Sequence, residues 1–222
     1  MKNPFDFFNK IYCINLDRRS DRWEKVSKEF ESIEIYGRVE RFSAFELDIF
    51  EDKKRNACYG NHTSHAKCIK NAFSKGFNNV LIFEDDVMFL EKTIETLSGA
   101  TLQLPLNWDL LYLGVNIERP AYQVNKNLAR LTFAYSTHAY AVNLKNVNLF
   151  MKLWEINSDI GTIHNDVSYN ELIIPNFNCL SCVPIIAIQQ PSYSDIEEKF
   201  VSYDWMVDRF NSNLVLNDDL ED

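Results

Sequence analysis

The chain has 222 residues, 46% of them hydrophobic and 14% aromatic, and a formal net charge of −9. That much apolar surface supports one full core and excludes a disordered chain, while the negative charge argues against nucleic acid or an anionic membrane surface as the main partner. With only six Gly and six Pro, no flexible linker or low-complexity stretch divides the sequence, so one domain is expected.

The opening residues, MKNPFDFFNKIYCIN, lack the apolar core of a secretory signal, and no stretch reaches the roughly 18 apolar residues of a membrane helix. Five Cys, an odd number, form no disulfide framework. A cytoplasmic setting is expected, with any membrane association peripheral and made through an acceptor.

Ile11–Leu16 is apolar apart from Asn15 and reads as the first buried strand. Asp17–Ser20 follows as a turn, and Ser20 is placed to cap a helix with apolar positions at Trp23, Val26 and Phe30. The phosphate-cradling glycines of nucleotide-binding folds are missing there; Arg18, Arg19 and Arg22 stand in their place, and Arg forks suit phosphate oxygens. The competing reading is a solvated basic turn. A second short strand is expected within Ile33–Phe42, and partial helix in Ser43–Asn56.

Gly60-Asn61-His62-Thr63-Ser64-His65 leads into an apolar pattern at Ala66, Ile69, Ala72 and Phe73, closed by Gly76. This places Ser64 and His65 in the first turns of a helix, where backbone N–H groups favour an anion. His62, His65 and Cys68 share one helical spacing, and Cys179 and Cys182 form a C-x-x-C, but the two groups are far apart and read as buried structural residues rather than a zinc site.

Val80–Phe89 runs from four apolar residues into Glu84, Asp85 and Asp86 and back to apolar residues. Three carboxylates at the end of a buried strand repel one another and are costly to desolvate, so a divalent cation is expected beside them. An acidic turn in water is the plain alternative. Glu91–Leu102 reads as a helix stopped by Pro105, and Trp108–Gly114 as a strand with Asp109 at its start. Val115–Asn127 reads as a loop, Arg130–Tyr135 and His138–Asn143 as a strand pair joined by Ser136-Thr137, and Leu144–Ile156 as a helix. Within Ile160–Pro175, Asn165 or Asp166 is placed to cap a helix ended by Pro175, and Asn178–Gln190 supplies one or two last strands. The pattern as a whole predicts an α/β fold with a mostly parallel central sheet flanked by helices.

Five of these segments, IYCINLDRRSDRW (Ile11–Trp23), GNHTSH (Gly60–His65), VLIFEDDV (Val80–Val87), WDLLYLG (Trp108–Gly114) and STHAYAVN (Ser136–Asn143), resemble in order the blocks of glycosyltransferase family 25. That family holds lipooligosaccharide β-galactosyltransferases and collagen-type galactosyltransferases. NDVSYNELI and QQPSYSDI agree more loosely, and Asn61 stands where the family usually has Cys. The resemblance implies a GT-A-like domain over residues 1–200, followed by a polar, acidic, partly helical tail over 201–222. It also implies inverting transfer of galactose or glucose from a UDP-sugar, with Mn2+ or Mg2+, to a hydroxyl of a glycan, lipooligosaccharide or hydroxylysine-type protein acceptor.

On this reading Glu84 and Asp86 share one side of an extended segment. Asp86 becomes the metal ligand, Glu84 the ribose or second metal contact, and Asp85 faces the sugar or a supporting Arg. His164 or His138 is a candidate further ligand. Asn15 and Leu16 are expected to line the uridine pocket, Arg18, Arg19 or Arg22 to hold diphosphate or base, and Ser64 and His65 to touch the donor. Asp166 is the first choice as general base and Asp109 the second, with a helix cap and a strand-end turn as their plain readings. The alternatives are a catalytically silent relative that binds a glycan or partner, and a nucleotidyltransferase using the same acids.

Overall fold

The structure, a computed structural model, describes residues 3–158, 164–194 and 199–217. The acids that close the chain and part of the Ile160–Pro175 stretch lie outside them.

The first half of the chain contains β1 (Lys10–Asn15), α1 (Ser20–Ser32), β2 (Val39–Ser43), α2 (Lys53–Ser74), β3 (Asn79–Glu84), β4 (Val87–Phe89) and α3 (Thr93–Gln103). Then come β5 (Leu110–Tyr112), β6 (Ala121–Asn125), β7 (Leu128–Arg130), β8 (Ala139–Asn143), α4 (Val147–Ser158) and α5 (Asn165–Leu172). The chain continues through β9 (Cys179–Cys182), β10 (Ala187–Gln189), β11 (Ser192–Ser194), β12 (Lys199–Val201), α6 (Met206–Asn213) and β13 (Leu214–Val215).

Among the described residues nine strands form one sheet in the order β13-β6-β7-β9-β5-β8-β3-β1-β2. β1 runs parallel to β2 and β3, β5 parallel to β9, and β13 parallel to β6. Only β8 and β7 run against their neighbours, so the sheet is mostly parallel in direction, as the alternating pattern predicts. Both faces are covered. Tyr12, Ile14, Val80 and Ile82 pack with Ile69 and Ala72 of α2, Leu153 of α4 and Tyr169 of α5, whereas Ile11, Cys13, Leu81 and Phe83 pack with Phe30 of α1 and Leu97 of α3. This two-sided burial is why the strands read as continuous apolar runs rather than alternating ones.

Several local expectations change. Ser20 is the first helical residue of α1 rather than its cap, a place taken by Arg19, whose side chain makes no capping bond. The helix expected from GNHTSH begins earlier, because Asp52 accepts hydrogen bonds from Lys54 N and Arg55 N and starts α2 at Lys53. Its end is as read: Gly76, at φ 76°, follows the cap residue Lys75. Val80–Phe89 is two strands, because β3 stops at Glu84 and β4 leaves for a separate pairing with β10. Val115–Asn127 is not all loop: it contains β6, which pairs with β7 and with β13. The expected pairing of Arg130–Tyr135 with His138–Asn143 does not form, since β8 inserts between β3 and β5 while β7 pairs with β6 and β9. Residues 206–215, expected in a polar tail, bury Met206 and Phe210 and add β13 to the sheet edge. Among the described residues no helix is long and apolar enough to cross a membrane.

Candidate active site

The C-terminal ends of β1 and β3 open into a cavity of about 710 Å3, the place where open α/β sheets bind ligands. Its floor is the acidic turn. Glu84 ends β3, and Asp85 and Asp86 make the turn into β4. The β4–β10 pairing brings Gln189 opposite Val87, and Gln189 Nε2 donates to Asp86 Oδ2 at 3.2 Å.

The three acids have three environments. Asp85 is buried, accepting from Asn15 Nδ2 at 2.6 Å and from Arg22 Nη1 at 2.8 Å. Burial pushes its carboxyl up from the ordinary range, against the pull of Arg22 and the Asn15 hydrogen bond. Glu84 Oε1 accepts from Thr137 Oγ1 at 2.9 Å and meets His65 Nε2 at 3.2 Å. Burial raises this carboxyl too, but the His65 contact and the Thr137 hydroxyl reverse the effect and leave it below the usual range. Asp86 has only the Gln189 contact on Oδ2; its Oδ1 is buried without a hydrogen-bond partner. Burial, with Glu84 and Asp85 close by, pushes its carboxyl up to about 7.

An orphaned carboxylate oxygen beside two more acids fits a hard divalent cation. Among the described residues no three His, Cys, Asp or Glu side chains converge on a metal position, so a cation here would meet one or two carboxylates of the chain and not a cage. That is the arrangement used when phosphate oxygens complete the coordination. The trio of Asp86, Glu84 and His164 therefore does not form. His164 is on the cavity wall, but it occupies the cap position of α5 with Nδ1 3.9 Å from Cys58 Sγ. His138, the other candidate ligand, is fully buried with Nε2 3.4 Å from Ala187 O, and burial pushes its imidazole down to about 4.

The arginines are already engaged. Arg18 pairs with Glu46, Arg19 with Asp21, and Arg22 with Asp85. Arg18 and Arg22 line the cavity and Arg19 does not, because its place at the cap of α1 turns it toward Asp21. Asn15 and Leu16 also line the cavity, although the Asn15 side chain is occupied by Asp85, Arg19 O and Arg41 Nε.

Ser64 and His65 lie in the middle of α2, so no helix N-terminus presents them to an anion. Ser64 Oγ donates to Gly60 O at 2.6 Å and accepts from Phe45 N at 2.9 Å, which fixes the loop before α2 as a cavity wall. Gly60 allows that approach: a Cβ there would stand 2.2 Å from Phe45 O. His65 is fully buried and points inward, its Nδ1 2.9 Å from Tyr140 Oη, which is 3.3 Å from Tyr169 Oη.

Asp166 lines the cavity from the first turn of α5, its Oδ2 accepting from Ser136 N and its Oδ1 from Val167 N, both at 2.9 Å. Asp109 is elsewhere. It starts β5 at the opposite end of the sheet, where it accepts from Asn146 Nδ2 and Asn178 N, each at 2.7 Å. The second-choice base is therefore a turn residue; its carboxylate is spent on holding two chain segments together. The sequence reading missed Thr137, Gln189 and Tyr193 as cavity residues. Their signal was faint, since polar residues after short strands are common; the β4–β10 pairing brings Gln189 to the acids, the place of β8 beside β3 brings Thr137, and Tyr193 O is held by Arg22 Nη2.

The family model described as "Glycosyltransferase family 25 (LPS biosynthesis protein)" matches residues 8–153 of the 222. Procollagen galactosyltransferase 1 of Danio rerio is 24% identical over 175 residues, 65% of this chain and 28% of the relative. Inactive glycosyltransferase 25 family member 3 of Homo sapiens is 29% identical over 170 residues, 62% of this chain and 27% of the relative. The chain thus spans little more than a quarter of the length of these relatives. The solved structure of a glycosyltransferase involved in the glycosylation of the major capsid of PBCV-1 superposes with a TM-score of 0.53 at 10% identity, covering 85% of this chain and 95% of that one. This likeness concerns the fold, which is the GT-A-like α/β arrangement expected. With the family model covering well over half of the sequence, the chain belongs to glycosyltransferase family 25.

Proposed function

We propose that the chain transfers a hexose, galactose or glucose, from a UDP-sugar to a hydroxyl of a glycan, lipooligosaccharide or protein acceptor, with inversion and with a divalent cation. The observation that carries this reading is the orphaned Oδ1 of Asp86 in a cavity with two more carboxylates, its carboxyl pushed up to about 7. Such a site favours a bound positive charge and a polyphosphate that shares it. Asp86 would hold Mn2+ or Mg2+, which when bound would supply Lewis-acid stabilisation of the leaving diphosphate.

The rest of the step belongs to the chain's own residues. Asn15 and Leu16 line the nucleotide side, and Glu84, fixed by Thr137 and His65, lies beside Asp86 at the strand end. Asp166 takes the proton of the acceptor hydroxyl as its oxygen bonds to C1, while the C1–phosphate oxygen bond breaks and its electron pair leaves with UDP. A second reading, donor binding without transfer, is favoured by one observation: identity to the human inactive member, 29%, exceeds the 24% to the zebrafish galactosyltransferase.

One experiment separates the two. UDP release from UDP-galactose and UDP-glucose is measured with Mn2+ and with EDTA, alongside donor affinity. Metal-dependent release is expected. Full activity in EDTA sinks the metal assignment, and donor binding without release in any metal favours the silent reading.

A further inference from the structure

Among the described residues seven buried side-chain nitrogen or oxygen atoms lack a hydrogen-bond partner, and four of them belong to Arg22, Asp86 and Asn165 on the cavity wall. Arg22 and Asp86 each have other contacts. Asn165 is 3% exposed and neither its Oδ1 nor its Nδ2 is paired. A buried amide with both ends unmet is a standing cost to the fold, and most such groups have a partner. Capping does not account for it: Asn165 is the first residue of α5, His164 holds the cap position, and Asp166 accepts the bonds from Val167 N and Ser136 N.

Its position says which part of a ligand it meets. β3 and its acidic end lie between β1 and β8 in the sheet. Asn15 and Leu16 are at the end of β1; Ser136, bound by Asp166, comes just before β8. Asn165 therefore belongs to the β8 side of the acids, across from the nucleotide side, where the group attached to the diphosphate falls. An amide offers two N–H donors and one acceptor oxygen in one plane, which matches two neighbouring hydroxyls. We propose that Asn165 recognises the hexose of the donor, Nδ2 donating to one ring hydroxyl and Oδ1 accepting from the next. The assignment rests on the UDP-hexose reading above and adds to it the residue that distinguishes the sugar.

Calorimetry on the full chain with Mn2+ tests it, using UDP, UDP-galactose, UDP-glucose and their single-deoxy analogues. Asn165→Ala and the equal-sized Asn165→Asp are expected to bind UDP within about twofold of wild type and to lose about tenfold or more for the preferred UDP-hexose. Retained UDP binding certifies the fold of each variant. On the wild type, which needs no variant to fold, two adjacent deoxy positions are expected to weaken binding. Equal losses for UDP and UDP-hexose, no loss for UDP-hexose, or indifference to every deoxy position overturns the assignment and leaves the donor reading intact. A wild type that binds neither UDP nor UDP-hexose overturns the donor reading and the assignment with it.

Discussion

Arg22 Nη1 stands 2.8 Å from Asp85 Oδ1, the two side chains 14% and 8% exposed, while Arg22 Nη2 donates to Tyr193 O at 2.6 Å and Ser192 Oγ at 3.2 Å. One guanidinium thus ties the acidic turn to the β11 strand that closes the cavity. Arg22→Ala leaves Asp85 buried without its counter-charge, only the Asn15 hydrogen bond remaining, a loss of about 3–5 kcal/mol. Arg22→Lys is expected to recover only part of it, since an ammonium does not reproduce the planar fork. Denaturant midpoints check this. If Arg22→Ala keeps its stability and loses only UDP affinity, the arginine serves the diphosphate instead.

His65 holds Glu84 from inside the fold, through contacts of 3.2 Å to Glu84 Oε1 and 2.9 Å to Tyr140 Oη. His65→Ala takes one contact from each partner, leaving Glu84 with Thr137 and Tyr140 with Tyr169, and is expected to cost about 1–3 kcal/mol and to depress turnover through a displaced Glu84. Gln carries an N–H able to reach Glu84, so His65→Gln is expected to recover part of both. Melting curves and donor-hydrolysis rates on the two variants decide it. An alanine variant with wild-type rates removes His65 as a positioning residue.

The sequence made the apolar strands legible because burial on both faces writes them as unbroken runs, and the acids of β3 stood out against that run. What it did not make legible was pairing across the sheet. β8 and β7 run against the parallel set, and nothing local to His138–Asn143 says that it inserts between β3 and β5. For the same reason Thr137 and Gln189 went unread as partners of Glu84 and Asp86, since both contacts depend on strands distant in sequence. GNHTSH reads as a helix start because it leads into the apolar pattern at Ala66, Ile69, Ala72 and Phe73. Here Gly60 is selected by the close approach of Phe45, a tertiary constraint that overrides propensity.

That close approach gives a prediction of its own. Gly60→Ala sets a Cβ 2.2 Å from the Phe45 carbonyl, so the cavity-lining loop carrying Phe45, Glu46 and Leu47 has to move away from α2. Ser64→Ala removes the hydroxyl that accepts from Phe45 N and is expected to cost about 1 kcal/mol. Both variants are expected to weaken UDP affinity while α2 stays formed, read by calorimetry and circular dichroism. Unaltered UDP affinity in Gly60→Ala places the nucleotide away from this loop.

His138 and Asp86 act oppositely on stability over nearly the same pH range. Burial pushes His138 from the usual 6.5 down to about 4, so between these values the unfolded chain holds a proton that the native one lacks. Stability from this group is present above 6.5 and lost as pH falls through the window. Burial, Glu84 and Asp85 push Asp86 from 3.8 up to about 7, so there the native chain holds the extra proton and stability is lost as pH rises. The wild-type profile is expected to be flatter than either alone. Relative to wild type, His138→Gln gains as pH falls from 6.5 to 4, and Asp86→Asn gains as pH rises from about 4 to 7. Mn2+ is expected to raise the melting temperature more at pH 8 than at pH 5, because a proton competes at Asp86. Parallel profiles for wild type and both variants contradict these shifts.

Asp166 has two tasks that one substitution separates. Its Oδ2 holds Ser136 N at 2.9 Å, and Ser136 sits at φ 71°, a left-handed conformation that costs a non-glycine residue about 1–3 kcal/mol. The carboxylate therefore pins a strained turn whose next residue, Thr137, bonds to Glu84. Asp166→Asn keeps an oxygen to accept from Ser136 N but takes up no proton from an acceptor. It is expected to melt near wild type and bind UDP-hexose normally while turnover falls by about 100-fold or more. Asp166→Ala loses the pin as well, and adding Ser136→Gly, which relieves the strain, is expected to restore melting temperature without restoring turnover. If Asp166→Asn turns over as wild type does, the residue is a pin alone and the base lies elsewhere on the cavity wall.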